Sequence, residues 1–261
     1  MTGLLGLAFD KPTTKDFVFR CLSGSARVGG VAFCLNWVVL MLIIAVTAYL
    51  LLFFLAFRKP KVVPGKFQLI MESGLEFVRQ QVVLQMIGPE GMGFLAFLTT
   101  LFFFIFLGNI LEVIPGTGFP LNSRLAFPLV MALIAWVVYN AVGIRHHGFF
   151  GYLKLVVVPP GAPAWLLPFL GLIEFFSVII VRPITLTLRL TANMIAGHFL
   201  LAVFFLGTLT LATGVPYVLG LVSFGLALLL VVFEIFVAGL QAFIFAVLTA
   251  SYVAGAAASE H

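Results

Sequence analysis

LLPFLGLIEFFSVIIVRPITLTLRLTANMIAGHFLLAVFFLGTLTL, Leu166–Leu211, is a nearly unbroken apolar run. Read as one helix at 1.5 Å per residue, its length is about 70 Å. That is more than twice the roughly 30 Å of hydrocarbon in a bilayer. Such a helix cannot stand upright as a straight span, so the run is strongly tilted, broken near Pro183, or both. A second run, Val218–Val253, is also too long at about 54 Å, and ATGVPY (Ala212 to Tyr217) turns the first into the second. The pair predicts a long reclining helical hairpin.

Working outward from the hairpin, the rest of the chain reads as membrane protein too. Pro159, Pro160 and Pro163 precede it, and before them Leu125–Val142 is a shorter apolar span ending at Arg145, His146 and His147. Gly91–Ile114 is another span, closed by PGTGFP (Pro115 to Pro120), and the two form a transmembrane hairpin. Lys66–Gln85 differs in kind. Phe67, Ile70, Met71, Gly74, Phe77, Val78 and Val82 recur at helical spacing, while Glu72, Glu76, Arg79 and Gln80 take the other face. That pattern predicts an amphipathic helix on the membrane surface. Val31–Phe57 is almost wholly apolar and long enough to span. Residues 1–30 are a mixed, polar tail. The expectation is a single all-α integral membrane domain over 1–261.

Composition agrees. Of 261 residues, 63% are hydrophobic and 9% charged, against roughly 25% charged in a soluble domain. There is too little polar surface to cover a globule in water. The net charge of +5 is spread between the apolar runs, which argues against a nucleic-acid-binding surface and for charges that set topology. RKPK (Arg58 to Lys61) places that end of the first span on the inner side. Cys21 and Cys34 form no metal or redox motif, and no cofactor or metal site is expected. A removable leader is not expected: GLLGLAF is short and runs into Asp10 and Lys11.

Ionisable groups in hydrocarbon cost several kcal/mol each, yet Glu112, Glu174, Arg182, Arg189, His198 and Glu234 lie in apolar runs, with Asn193 and Gln241 beside them. At 100° per residue, Arg182, Thr185, Arg189 and Asn193 form one stripe. Ala192, Ala196 and Gly197 nearby would let another helix come close. His198 faces elsewhere, and Glu234 and Gln241 share a face of the last helix. Arg is a permanent cation, whereas His198 and Glu234 can titrate. A fixed positive charge beside a titratable pair suits proton translocation. Packing hydrogen bonds alone, a proton-coupled secondary transporter and a structural scaffold are the alternatives. The paired broken helices common in transporters are not seen in both halves.

These residues also carry a family resemblance. RPITLTLRLTANMIAGHFLL (Arg182 to Leu201), EIFVAGLQAFIFAVLTASY (Glu234 to Tyr252) and GNILEVIP (Gly108 to Pro115) resemble the corresponding segments of ATP synthase subunit a. The order of apolar runs is similar over essentially the whole chain. The resemblance implies a non-catalytic, proton-translocating stator subunit with no cofactor of its own. It would face a ring of proteolipid c subunits and join the peripheral stalk b subunits and the rest of the complex. Arg189 falls on the family's essential arginine, with Asn193 and Gln241 as its polar neighbours. His198, Glu234, Asn109 and Glu112 fall on the outer half-channel, and Glu174 on the exit channel. Two departures stand out. Many bacterial relatives reverse the acid and the histidine at positions 198 and 234, and many have one residue fewer between the acid at 174 and position 182. The implied location is a bacterial plasma membrane, the mitochondrial inner membrane being the alternative.

Overall fold

The computed structural model describes residues 26–28, 31–33, 37–113, 125–158, 166–212 and 217–258. The fold is that of an all-α integral membrane protein. Among the described residues, five helical segments are long and apolar enough to cross a bilayer: Val39–Phe57, Pro89–Leu111, Ala126–Val157, Leu167–Thr208 and Val218–Ala257.

The chain divides into two compact units, Met1–Ile44 and Ala45–His261. In the first, β1 (Ala26–Val28) pairs antiparallel with β2 (Val31–Phe33). Helix α1 (Trp37–Phe57) begins in this unit and continues into the second. The expected span started at Val31, but the helix starts at Trp37. Its 21 residues already rise about 31 Å, so the bilayer is crossed without the residues in β2.

In the second unit, α1 exposes large apolar side chains such as Leu50 and Leu55. Such a face is a liability in water and costs nothing against lipid tails. Helix α2 (Lys66–Val78) runs into a π-turn, Arg79–Leu84. Its apolar residues divide between two surroundings. Met71, Val78 and Val82 are buried, and the last two pack with Leu98, Ala246 and Ala250. Phe67, Ile70 and Phe77 are exposed. On the polar flank, Gln80 and Arg79 both donate to the Glu76 carboxylate, at 2.7 and 3.2 Å. These bonds, Gln80's first, hold its pKa below the ordinary carboxylate value.

A 3₁₀ turn (Pro89–Phe94) leads into α3 (Leu95–Val113). Then come α4 (Ala126–Val157), α5 (Leu167–Phe176), a π-turn (Ser177–Val181), α6 (Arg182–Ala212) and α7 (Tyr217–Ala257). The central core joins Leu101 and Ile105 of α3, Ala132 and Ala135 of α4, Leu186 and Leu190 of α6, and Ala242 and Phe245 of α7. Alanines on α4 and α7 let backbones approach closely, which is how helices associate where lipid is as apolar as leucine.

Helix α4 does not end at Val142. It continues through Arg145, His146 and His147, none of which breaks a helix, and turns sharply at Gly148 (φ 71°, ψ 166°). That left-handed φ suits glycine alone at low cost. Beyond the elbow the Tyr152 ring covers Gly143, where any side chain would overlap it. The Tyr152 hydroxyl donates to Asn140 Oδ1 at 3.1 Å, closing the two arms together.

Candidate proton-translocation site

Helix α6 has two unlike sides. Pro183, Leu186, Thr187, Leu190, Thr191, Met194, Gly197 and Leu201 recur at helical spacing and are buried. Thr185, Leu188, Arg189 and Ala192 are exposed on the other side. The stripe expected from the sequence runs along the seam between them. Thr185 and Arg189 lie outside, while Arg182 and Asn193 are half-buried. Thr187 returns its hydroxyl to the Pro183 carbonyl at 2.7 Å, the usual way a helix carries such a group through an apolar medium.

The two arginines differ sharply. Arg182 Nη2 donates to Glu174 Oε1 at 2.9 Å, and its guanidinium lies 4.9 Å from the centroid of the Tyr252 ring on α7. Arg189 has no hydrogen bond or ion pair among the described residues. A buried Asn193 Nδ2 also lacks a partner among them. Around the Arg182–Glu174 pair lies a cavity of about 280 Å³, lined by Tyr152, Glu174, Val178, Arg182 and Ala256 among others.

On the buried side of α6, Glu234 of α7 is buried at 4% exposure. Its carboxylate rests on Gly197 so closely that a Cβ there would overlap it. His198, the next residue, is half-buried. Asn109 of α3 is fully buried and donates its side-chain N–H to the Ala238 carbonyl at 3.3 Å, one turn along α7 from Glu234. Gln241 is half-buried two turns beyond Glu234. Glu112 belongs to α3, and its side chain lies outside the described residues. Asn109, Gly197 and Glu234 thus converge on the α3–α6–α7 packing, whereas Glu174 and Arg182 form a separate cluster near Tyr252.

How α5 joins α6 explains where the arginines point. Pro183 does not break the helix. The chain widens just before it, and the Arg182 N–H bonds five residues back to the Ser177 carbonyl. In that register the next donor, to Val178, would be residue 183, which is proline and has none. The Val178 carbonyl is therefore left without a backbone donor in a buried position. Two α4 side chains serve it instead: the Tyr139 hydroxyl at 2.7 Å and Trp136 Nε1 at 3.3 Å. Tyr139 also packs edge-on to Tyr252, with ring centroids 5.6 Å apart.

The family model "ATP synthase A chain" matches residues 38–254. The chain belongs to the ATP synthase subunit a family. It is 45% identical over 222 residues to "ATP synthase subunit a" of Parafrankia sp. (strain EAN1pec), covering 83% of this chain and 75% of the relative. To the protein of that name from Streptomyces lividans it is 37% identical over 257 residues, 98% of this chain and 90% of the relative. A third, from Frankia alni, is 40% identical over 236 residues, covering 90% and 82%. Within this subunit a chain, the sequence reading passed over Trp136, Tyr139 and Tyr252. One signal pointed to them: a proline in the interior of a long helical run leaves an upstream carbonyl needing a donor.

Proposed function

We propose that this subunit a carries protons across the membrane for a rotary ATP synthase. Two half-channels load and unload protons on the carboxylates of a neighbouring proteolipid ring, and Arg189 keeps the half-channels from joining. The observation that carries this reading is the exposed side of α6. There a guanidinium that stays charged at any physiological pH lies on the exposed face of a membrane-spanning helix, without a carboxylate partner among the described residues.

Each group has a role in this scheme. Glu234, buried against Gly197, and the adjacent His198 receive protons entering from the outer face. Asn109 and Glu112 line the same path on α3. Asn193 and Gln241 are polar neighbours of Arg189. Glu174, beside Arg182 in the cavity of about 280 Å³, belongs to the inner exit path. Arg189 favours the ionised form of a ring carboxylate opposite it and repels a proton crossing directly. The subunit is not itself catalytic. It works with the c ring, the b subunits of the peripheral stalk and the remaining complex, in a bacterial plasma membrane.

Replacing Arg189 tests this reading. In inverted vesicles, Arg189→Ala abolishes ATP-driven quenching of a pH-sensitive dye and ATP synthesis, while passive proton leak through the membrane sector rises. Native synthesis by Arg189→Ala vesicles overturns the assignment.

A further inference from the structure

We infer that Tyr139, helped by Trp136, is a positioning residue for Arg189: it takes the carbonyl that the π-turn and Pro183 leave without a donor, and so fixes the rotation of α6. The inference rests on the role proposed for Arg189.

The argument follows the backbone. A π-turn is one residue more than an α-helix needs, so everything beyond it is rotated by about one residue's worth, 100°, relative to a regular helix. Arg189 lies beyond it and Glu174 before it. Whether Arg189 faces outward or towards the buried side of α6 thus depends on keeping the wide turn. In the regular register, Arg182 would donate to Val178 and no carbonyl of residue 178 would be orphaned. The wide turn gives up that bond, and Pro183 prevents the next residue from replacing it. Both donors that compensate come from α4, the Tyr139 hydroxyl at 2.7 Å and the indole N–H at 3.3 Å. Tyr139 is 1% exposed and Val178 3%, so both partners of this bond lie within the helix packing. From the other side, Tyr252 touches the Tyr139 ring and lies under the Arg182 guanidinium. The first residue after the wide turn is therefore held by the same cluster that holds the turn.

Removing the hydroxyl alone is the cleanest perturbation, since Tyr139→Phe keeps the ring packing. The assembled complex in inverted vesicles is compared with Tyr139→Phe and with Trp136→Phe/Tyr139→Phe, in a background lacking Cys21 and Cys34. Single cysteines at 184, 185, 187, 188, 191 and 192 report which side of α6 crosslinks to the adjoining ring. In the native background the reactive positions are 185, 188 and 192. In the double variant reactivity moves round the helix towards a neighbouring set. ATP-driven pumping per assembled complex falls about five- to thirtyfold, as expected when a buried acceptor is left unpaired.

A second variant keeps the test decisive. Pro183→Ala restores an N–H where the wide turn needs it, and in the Tyr139→Phe background it recovers pumping and the native crosslinking set. A variant that merely assembles poorly shows less complex with an unmoved crosslinking set, which overturns the inference. So does a Tyr139→Phe defect that Pro183→Ala leaves in place, because the Val178 carbonyl is then not its cause. Arg189→Ala separates the two levels. If it pumps normally, the reading of Arg189 fails. If it is inactive while both Tyr139 variants behave as native, only the positioning role fails.

Discussion

Arg182 and Arg189 lie two turns apart on one helix, and their surroundings have little in common. Arg182 is tied to Glu174 and stacked on Tyr252. Arg189 is exposed, with no charge partner among the described residues. A paired guanidinium in an apolar medium is explained by its pair: the two charges offset each other's desolvation. One without such a partner calls for a partner outside its chain or a direct role in moving charge. Sequence periodicity places both on one stripe, and only the neighbouring helices tell them apart.

The largest expected effect tests that distinction with one substitution made twice. Arg189→Lys reduces ATP-driven pumping to background, because a compact ammonium lacks the planar fork and is deprotonated more readily. Arg182→Lys keeps an ion pair with Glu174 and retains most activity. Equal losses at the two positions, measured by dye quenching per assembled complex, erase the comparison.

Next in size is the buried side of the helix. Gly197→Ala forces its methyl into the Glu234 carboxylate, and overpacking of this kind costs about 1–3 kcal/mol. Pumping falls accordingly, and Glu234→Asp in the same background restores part of it by shortening the acid. If Gly197→Ala pumps as native, Glu234 does not work from the place it occupies against α6.

The smallest effect concerns the pair itself. A double-mutant cycle of Arg182→Gln and Glu174→Gln, read from thermal stability of the purified complex, gives a coupling near the low end of the 0.5–3 kcal/mol seen for contacting residues. The side chains are 25% and 41% exposed, which weakens their interaction. A coupling of zero would show that the pair does not hold Arg182, and that the Tyr252 ring alone does.

What the sequence made legible follows from what leaves a one-dimensional trace. Lengths of apolar runs and the positions of Arg189 and Glu234 in them were readable, because hydrophobicity and helical period are local. The long final hairpin and the membrane class followed. The elbow at Gly148 was not readable: Arg145, His146 and His147 resemble the end of a span, and a glycine after them can as easily stop a helix as bend it. Nor was the wide turn, since nothing in SVIIV (Ser177 to Val181) differs from an ordinary apolar helix. Tyr139 meets Val178 across 39 residues of chain, and a single tyrosine in an apolar run has no period to betray it.

The length of α7 has an electrical consequence. Its apolar span, Val218–Ala257, has 40 residues and rises about 60 Å, twice the roughly 30 Å hydrocarbon layer. A straight helix kept within that layer leans about 60° from the membrane normal. Distance along it then converts poorly into depth. Glu234 and Gln241 are about 10 Å apart along the axis, yet only about 5 Å apart in depth, near one-sixth of the layer. A full crossing of one charge is worth about 2.3 kcal/mol per 100 mV. A proton passing between these two side chains would feel about 0.4 kcal/mol of that. In the scheme proposed above, a step taken along such a reclining helix is mostly sideways and crosses little of the membrane potential.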